Sequence, residues 1–187
     1  MKRSVWMILL VAAGCIGADP GGSATSRSID MSDIVVSPDT APEGLVRDDV
    51  GGGLETLSYP LLSDRSRALV ETDAEPQFVD GGYATFSGAA GALLSVAMEF
   101  ASVEAAEAML EILAGELESA DGYGLPPGTP LPLGDGGLRY EGDVAALDGL
   151  HEIIFVWRRG RIVLVAGGPM TPEQTKAVAE AMNERAG

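Results

Sequence analysis

The chain has 187 residues, with 28 acidic and 12 basic side chains, and its formal net charge is −16 at pH 7. This charge repels phosphate groups, so it argues against nucleic acid as a partner and against adsorption of the folded part to anionic lipid. Only one cysteine is present, so no disulfide can form within the chain and the fold must depend on packing.

The N-terminus has the pattern of a secretory signal peptide. Lys2 and Arg3 are basic, and residues 5–13 form an apolar run about half as long as the roughly 20 residues that span a bilayer. The sequence "AAGC", which ends at Cys15, resembles the lipobox of bacterial lipoproteins. The resemblance implies that residues 1–14 are removed and that Cys15 carries acyl chains such as palmitate. An ordinary signal peptide is the alternative, since small residues also precede Cys15.

Residues 15–44 follow as a predicted flexible tether. They are rich in Gly, Ser, Asp and Pro and have few large apolar side chains. Without Lys2 and Arg3, 10 basic side chains remain against 28 acidic ones, a net charge of −18. The remaining residues, 45–187, have enough apolar content for one core, so we expect a single domain there.

The sequence of the first half of this domain predicts a helix, two strands and a second helix, in that order. A helix is expected over residues 60–72, and strands over residues 82–87 and 93–100, joined by the turn-prone "GAAGA". Ser102 is suited to cap a second helix, since apolar residues recur after it at three- and four-residue steps. The glutamates of that helix fall on the opposite face, which we interpret as solvated.

The second half begins with a long loop, residues 121–137, whose prolines and glycines exclude a helix or a central strand. A short strand is expected over residues 138–141, then two strong strands over 151–157 and 161–166, joined at a turn containing Gly160. The sequence "TPEQ", which begins at Thr171, predicts a capped helix that ends near Arg185.

These elements predict an α+β fold in which an antiparallel sheet is covered by helices on one side. The order hairpin-then-helix occurs twice, so the domain is expected to consist of two hairpin-plus-helix halves. Phe155 and Val163 should lie on adjacent antiparallel strands, with Phe155 buried against the helices.

Several stretches together resemble uncharacterised secreted lipoproteins that are common in high-GC bacteria. They are "GGYATF", "LLSVAMEFASVEAAEAM", "LGDGG" and "VWRRGRIVLVAGG", with a closing helix, and the resemblance covers residues 57–185. It implies a small secreted α+β domain in the cell envelope, outside the cytoplasm and lipid-anchored through Cys15. It supplies no catalytic residues.

The sequence indicates no catalytic, cofactor-binding or metal-binding residue and no cofactor. A hydrolase would need the single histidine, His151, with Asp148 and a serine such as Ser95 or Ser102, but no G-x-S-x-G motif is present. Zinc would need more histidine or cysteine ligands than the sequence offers. Calcium is conceivable where acids crowd a loop-rich region, but no EF-hand spacing is present and we interpret these acids as solvated; they are Asp135, Glu141, Asp143 and Asp148.

The function predicted first is a non-enzymatic binding or interaction module, tethered to the membrane through Cys15, that presents its long loop and one sheet face to an envelope protein or small ligand. The alternative is a carrier of a small apolar ligand in the envelope. Its cavity would be lined by five large side chains, which are equally suited to an ordinary core: Phe78, Tyr83, Phe86, Met98 and Trp157. A hydrolase using His151 is the third hypothesis.

Overall fold

The computed structural model describes residues 29–53, 56, 78–89, 91–144, 147 and 149–187. Seven strands and three helices occur in this part of the chain. In chain order they are α1 (Met31–Ile34), β1 (Leu45–Gly52), β2 (Phe78–Gly88), β3 (Gly91–Phe100), α2 (Val103–Glu118), β4 (Thr129–Leu131), β5 (Gly137–Val144), β6 (Leu150–Arg159), β7 (Ile162–Gly168) and α3 (Pro172–Arg185). The helix predicted over residues 60–72 lies outside the described residues.

The strands form one antiparallel sheet in the order β1-β2-β3-β7-β6-β5-β4. The hairpins β2–β3 and β6–β7 meet at its centre, where β3 pairs with β7. In the described part, 43% of residues are in strands and 28% in helices. The predicted α+β class is therefore wrong, because the fold is mainly β, with small helices packed on a continuous sheet.

The prediction that helices cover only one side of the sheet is also wrong. Alternate side chains of the central strands point to opposite faces, and both faces are buried. On one face, Val96, Val156 and Val165 pack with α2. On the other, Phe155 and Leu164 pack with α1 and α3. Both hairpin-plus-helix units are present, but their helices lie on opposite faces, so the units are not equivalent halves of a one-sided layer.

Local helix signals were predicted correctly. The Ser102 hydroxyl accepts a hydrogen bond from the Ala105 N–H at 3.1 Å, which caps α2. Thr171 and Gln174 form a reciprocal capping box at the start of α3, with Pro172 at the first helical position. Phe155 is buried, and β6 and β7 are adjacent antiparallel strands, as expected.

The segment before β1 packs on the domain. Asp30 caps α1, and four apolar side chains that follow are almost fully buried: Met31, Ile34, Val35 and Val36. They join the same core as α3. Residues 29–44, which the sequence placed in the tether, therefore belong to the folded part. The signal peptide, Cys15 and the earlier tether residues lie outside the described residues and stay predictions.

The long loop contains a short strand. β4 pairs with β5 at the sheet edge, and Pro130 is its middle residue. Proline lacks an N–H group and is tolerated there because an edge strand can leave one side unpaired. The strand predicted over residues 138–141 extends over eight residues in β5, pairing along its length with β6.

Candidate functional site

An apolar cleft opens where four central strands end, on the face that α2 covers. Its floor is one row of paired residues: Thr85 pairs with Leu94, Leu94 with Gly167, and Gly167 with Ile154. Directly paired residues point to the same face, so this row forms a continuous surface. The cleft has a volume of about 290 Å³, and Tyr123 and Leu147 also line it.

The cleft lies beside the row that packs with α2, and its own row is only partly exposed: Thr85 and Leu94 are half-buried, whereas Ile154 and Gly167 are buried. Val96, Val165 and Val156 form that neighbouring row and belong to the core with α2. Gly167 has no side chain to fill the space above β7. A Cβ atom at Gly167 would lie 2.9 Å from Cγ1 of Ile154, so glycine also allows the Ile154 side chain to lie across β7.

Glu152 is the buried acidic group of the cleft. It lies on β6 two residues before Ile154, so both side chains point to the same face. Only 9% of the residue is exposed, and burial raises the pKa of its carboxyl group. Among the residues that the structure describes, none donates a hydrogen bond to this carboxylate or forms an ion pair with it.

Tyr123 lies near Glu152 on the wall of the cleft. Burial, and secondarily the negative charge of Glu152, raise the pKa of the Tyr123 hydroxyl to about 12. The phenol is therefore neutral at physiological pH, and Tyr123 already has an interaction within the structure. The cleft thus has an apolar floor, with one carboxylate and the ring of a neutral tyrosine on its wall.

The mouth of the cleft contains a second acid. Asp48 lies at the irregularity in the β1–β2 pairing, and its Oδ1 accepts a hydrogen bond from the Ser87 hydroxyl at 2.9 Å. Asp48 and Glu152 are the charged side chains among the described residues that line the cleft. The described part of the lining is consequently negative and includes no basic side chain.

A second, larger groove of about 510 Å³ lies between α3 and the β4 edge. The two basic side chains among its described residues have acidic partners: Lys176 lies 3.6 Å from Glu180, and Arg139 forms an ion pair with Glu141. Because its basic groups are paired and accessible to solvent, we rank this groove behind the apolar cleft as a binding site.

His151 lies on the exposed part of β6, away from the cleft. Its Nδ1 is 2.8 Å from Asp143 and its Nε2 is 3.6 Å from Glu141, both on the neighbouring strand β5. These contacts, the Asp143 hydrogen bond first, raise the pKa of the His151 imidazole. Asp148, the partner considered from the sequence, lies outside the described residues.

The structure does not bring together the serine and histidine of the hydrolase hypothesis. The buried Ser95 hydroxyl donates to the Ala84 carbonyl and accepts from the Val36 N–H, both at 3.2 Å. Ser102 is occupied as a helix cap. Both hydroxyls therefore have structural roles, and His151 pairs with carboxylates instead.

The acids considered for calcium are divided between two places. Asp135 accepts hydrogen bonds from the Gly160 N–H at 2.7 Å and from Arg158 at 3.3 Å, near the β6–β7 turn. Glu141 and Asp143 contact His151 towards the other end of β5. In the described ranges, no group of three or more His, Cys, Asp or Glu residues is arranged to hold a metal ion.

The aromatic and apolar residues proposed for a carrier cavity do not share one cavity. Tyr83 and Met98 are buried on the α2 face, whereas Phe86 and Trp157 are buried on the α3 face. Phe78 packs against Phe100, with ring centroids 6.1 Å apart. Of the five, Phe86 is among the residues that line the cleft, and its side chain also belongs to the core of the α3 face. The other four pack in or against the core, so the cleft has a different location and lining from the cavity that the sequence suggested.

The fold has a structural relative. The extracellular domain of PknH from Mycobacterium tuberculosis aligns with a TM-score of 0.57 and 10% sequence identity, over 83% of this chain and 94% of that domain. At this identity the similarity establishes a shared fold. It is consistent with the expected resemblance to secreted proteins of high-GC bacteria. No protein-family model matches the chain, and neither does any curated protein.

None of the described helices is long and apolar enough to cross a bilayer.

Glu152, Tyr123 and Gly167 were not predicted from the sequence as site residues. The sequence did contain a signal for Glu152. This residue immediately precedes the apolar run "IIFVW" on the same strand, so its side chain points to the same face as alternate residues of that run. Gly167 and Tyr123 gave no such signal, since their role depends on which strands become neighbours.

Proposed function

We propose that this chain is an exported, non-enzymatic binding module that takes a small apolar ligand into the cleft. The observation that carries the proposal is the apolar cleft lined by Thr85, Leu94, Gly167 and Ile154, beside the part of the same sheet face that packs with α2. A cleft of about 290 Å³ is at the lower end of the size range of small-molecule sites. The shared fold with an extracellular domain supports export.

The geometry favours a small ligand over a protein partner bound to the sheet. The original interaction hypothesis needed one sheet face to be accessible, but α2 covers one face and α1 and α3 cover the other. The catalytic alternative lacks an assembled serine and histidine among the described residues. A lipid at Cys15 would keep the module at the membrane and leave the cleft open to envelope molecules.

The cleft can be tested with matched leucine-to-tryptophan variants. Leu94→Trp places a larger side chain on the cleft floor, and Leu131→Trp makes the same change in the second groove. We expect the neutral fluorescent dye N-phenyl-1-naphthylamine to bind the wild type and Leu131→Trp, and to lose binding with Leu94→Trp. Circular dichroism and thermal unfolding check that both variants fold. Loss only with Leu131→Trp would move the site to the second groove, and no binding by any folded variant would contradict the proposal.

A further inference from the structure

We propose that the cleft selects an apolar amine, whose ammonium group pairs with the carboxylate of Glu152. This inference rests on the proposed function of the cleft and adds the chemical class of its ligand. It is carried by the position of one buried acid beside an apolar floor that has room for a ligand.

Glu152 is a largely buried acid without a protein partner in the described part of the chain. Only 9% of the residue is exposed, its carboxylate oxygens are not among the fully buried atoms that lack a partner, and an acid in such a place is normally hydrogen-bonded or paired with a cation, because partial removal from water is costly. Glu152 has neither kind of partner among the residues described by the structure. A cationic ligand supplies the missing partner, and the surrounding apolar side chains strengthen the attraction by excluding water.

The described charges around the cleft disfavour the opposite kind of ligand. Among the residues that the structure describes, the charged side chains that line the cleft, Asp48 and Glu152, are both acidic, and the whole chain has a formal net charge of −16. An anionic ligand such as a fatty acid would be repelled both on approach and at the site. The Tyr123 ring near Glu152 adds a π face, which attracts an organic cation when the two meet face-on.

The two acids are too far apart to hold one ammonium group together. Asp48 belongs to β1 and Glu152 to β6, with β2, β3 and β7 between them. Four interstrand spacings amount to roughly 19 Å. Glu152 is the buried member of the pair, and it is next to the apolar row through Ile154. The ligand's cation should therefore lie at the β6 end of the cleft, with its apolar body extending over Gly167 and Leu94.

The test compares three probes that share one apolar chain: octylamine, octanol and octanoate. The full chain carrying Cys15→Ser is titrated with each by calorimetry at neutral pH. We expect octylamine to bind roughly 10- to 100-fold more tightly than octanol, since a hydrogen bond to a charged partner contributes that much, and octanoate to bind most weakly. Leu94→Trp should abolish binding of both octylamine and octanol.

Glu152→Gln keeps the shape of the side chain and removes its charge. In this variant octylamine should bind no more tightly than octanol. Glu111→Gln removes one charge from the exposed surface of α2, outside the cleft, and should retain the preference for the amine. Removing an unpaired buried charge should not impair folding, and thermal unfolding of Glu152→Gln verifies this.

The results separate this inference from the function on which it rests. If octanol binds as tightly as octylamine and Leu94→Trp blocks both, the cleft binds ligands but the amine assignment is wrong. If the amine preference persists in Glu152→Gln, Glu152 is not the group that recognises it, and the inference fails. If none of the three probes binds the wild type, both the inference and its basis in an apolar ligand are overturned.

Discussion

Replacing Ile34 with alanine should lower the free energy of unfolding by about 2–4 kcal/mol, since Ile34 is fully buried with Phe86, Trp157 and Met182. The change removes three carbon groups, at about 0.8 kcal/mol each, and the unfilled space adds up to roughly 2 kcal/mol if the surrounding side chains do not collapse into it. This prediction tests the finding that residues 29–44 pack on the domain, because a flexible segment would lose no stability on truncation of Ile34.

Urea unfolding followed by circular dichroism measures this loss as a lower transition midpoint with an unchanged slope. Val46→Ala is the control, because Val46 is 71% exposed and its truncation should change stability by less than about 0.5 kcal/mol. If Ile34→Ala also changes stability by less than about 0.5 kcal/mol, the segment is a tether, as the sequence suggested, and our account of the α1 core is refuted.

Three further predictions concern the core, the histidine and the anchor. Phe155→Ala should cost about 3–5 kcal/mol in urea unfolding, because the ring is buried beneath α3; a loss under about 1 kcal/mol would contradict its place in the core. NMR titration of His151 should give a pKa above the ordinary 6.5, and Asp143→Asn should lower it; an unchanged value would reject the contact. Because the folded-state pKa is the higher one, this contact stabilises the fold below the unfolded-state pKa, and its contribution is lost as pH rises through the folded-state value. Labelled fatty acid should enter the wild type and not Cys15→Ser, and a wild-type chain without added lipid mass would reject the lipoprotein prediction.

Elements defined by neighbouring residues could be predicted from the sequence. Ser102 and Thr171 cap their helices through hydrogen bonds to residues three positions further along the chain. The residues that form each cap are therefore close together in the sequence, where the pattern can be recognised. The β6–β7 hairpin was also predicted, since Gly160 adopts the positive φ of 57° that a tight turn favours.

Features that depend on strand order could not be predicted in this way. The runs "IIFVW" and "IVLVA" have apolar residues at consecutive positions, which indicates burial on both faces, but we assigned them to a sheet covered on one side. α1 was missed because four residues are too few for a helical period.

The cleft itself depends on distant parts of the chain. Residues 85, 94, 154 and 167 become neighbours only through the β3–β7 pairing at the sheet centre. Glu152 was noticed only as a neighbour of His151, and its burial follows from the face that it shares with Ile154.

The two ends of the described chain are joined by hydrogen bonds on one face of the sheet. Arg185, near the end of α3, donates to the Val35 carbonyl at 2.8 Å, and the Val36 N–H donates to the Ser95 hydroxyl on β3 at 3.2 Å. If the chain were held at its N-terminus, a pulling force would reach the domain through these two hydrogen bonds. The force would then be shared by β3 and α3. The cleft opens on the opposite face of the sheet, and Leu94, the neighbour of Ser95 on β3, forms part of its floor.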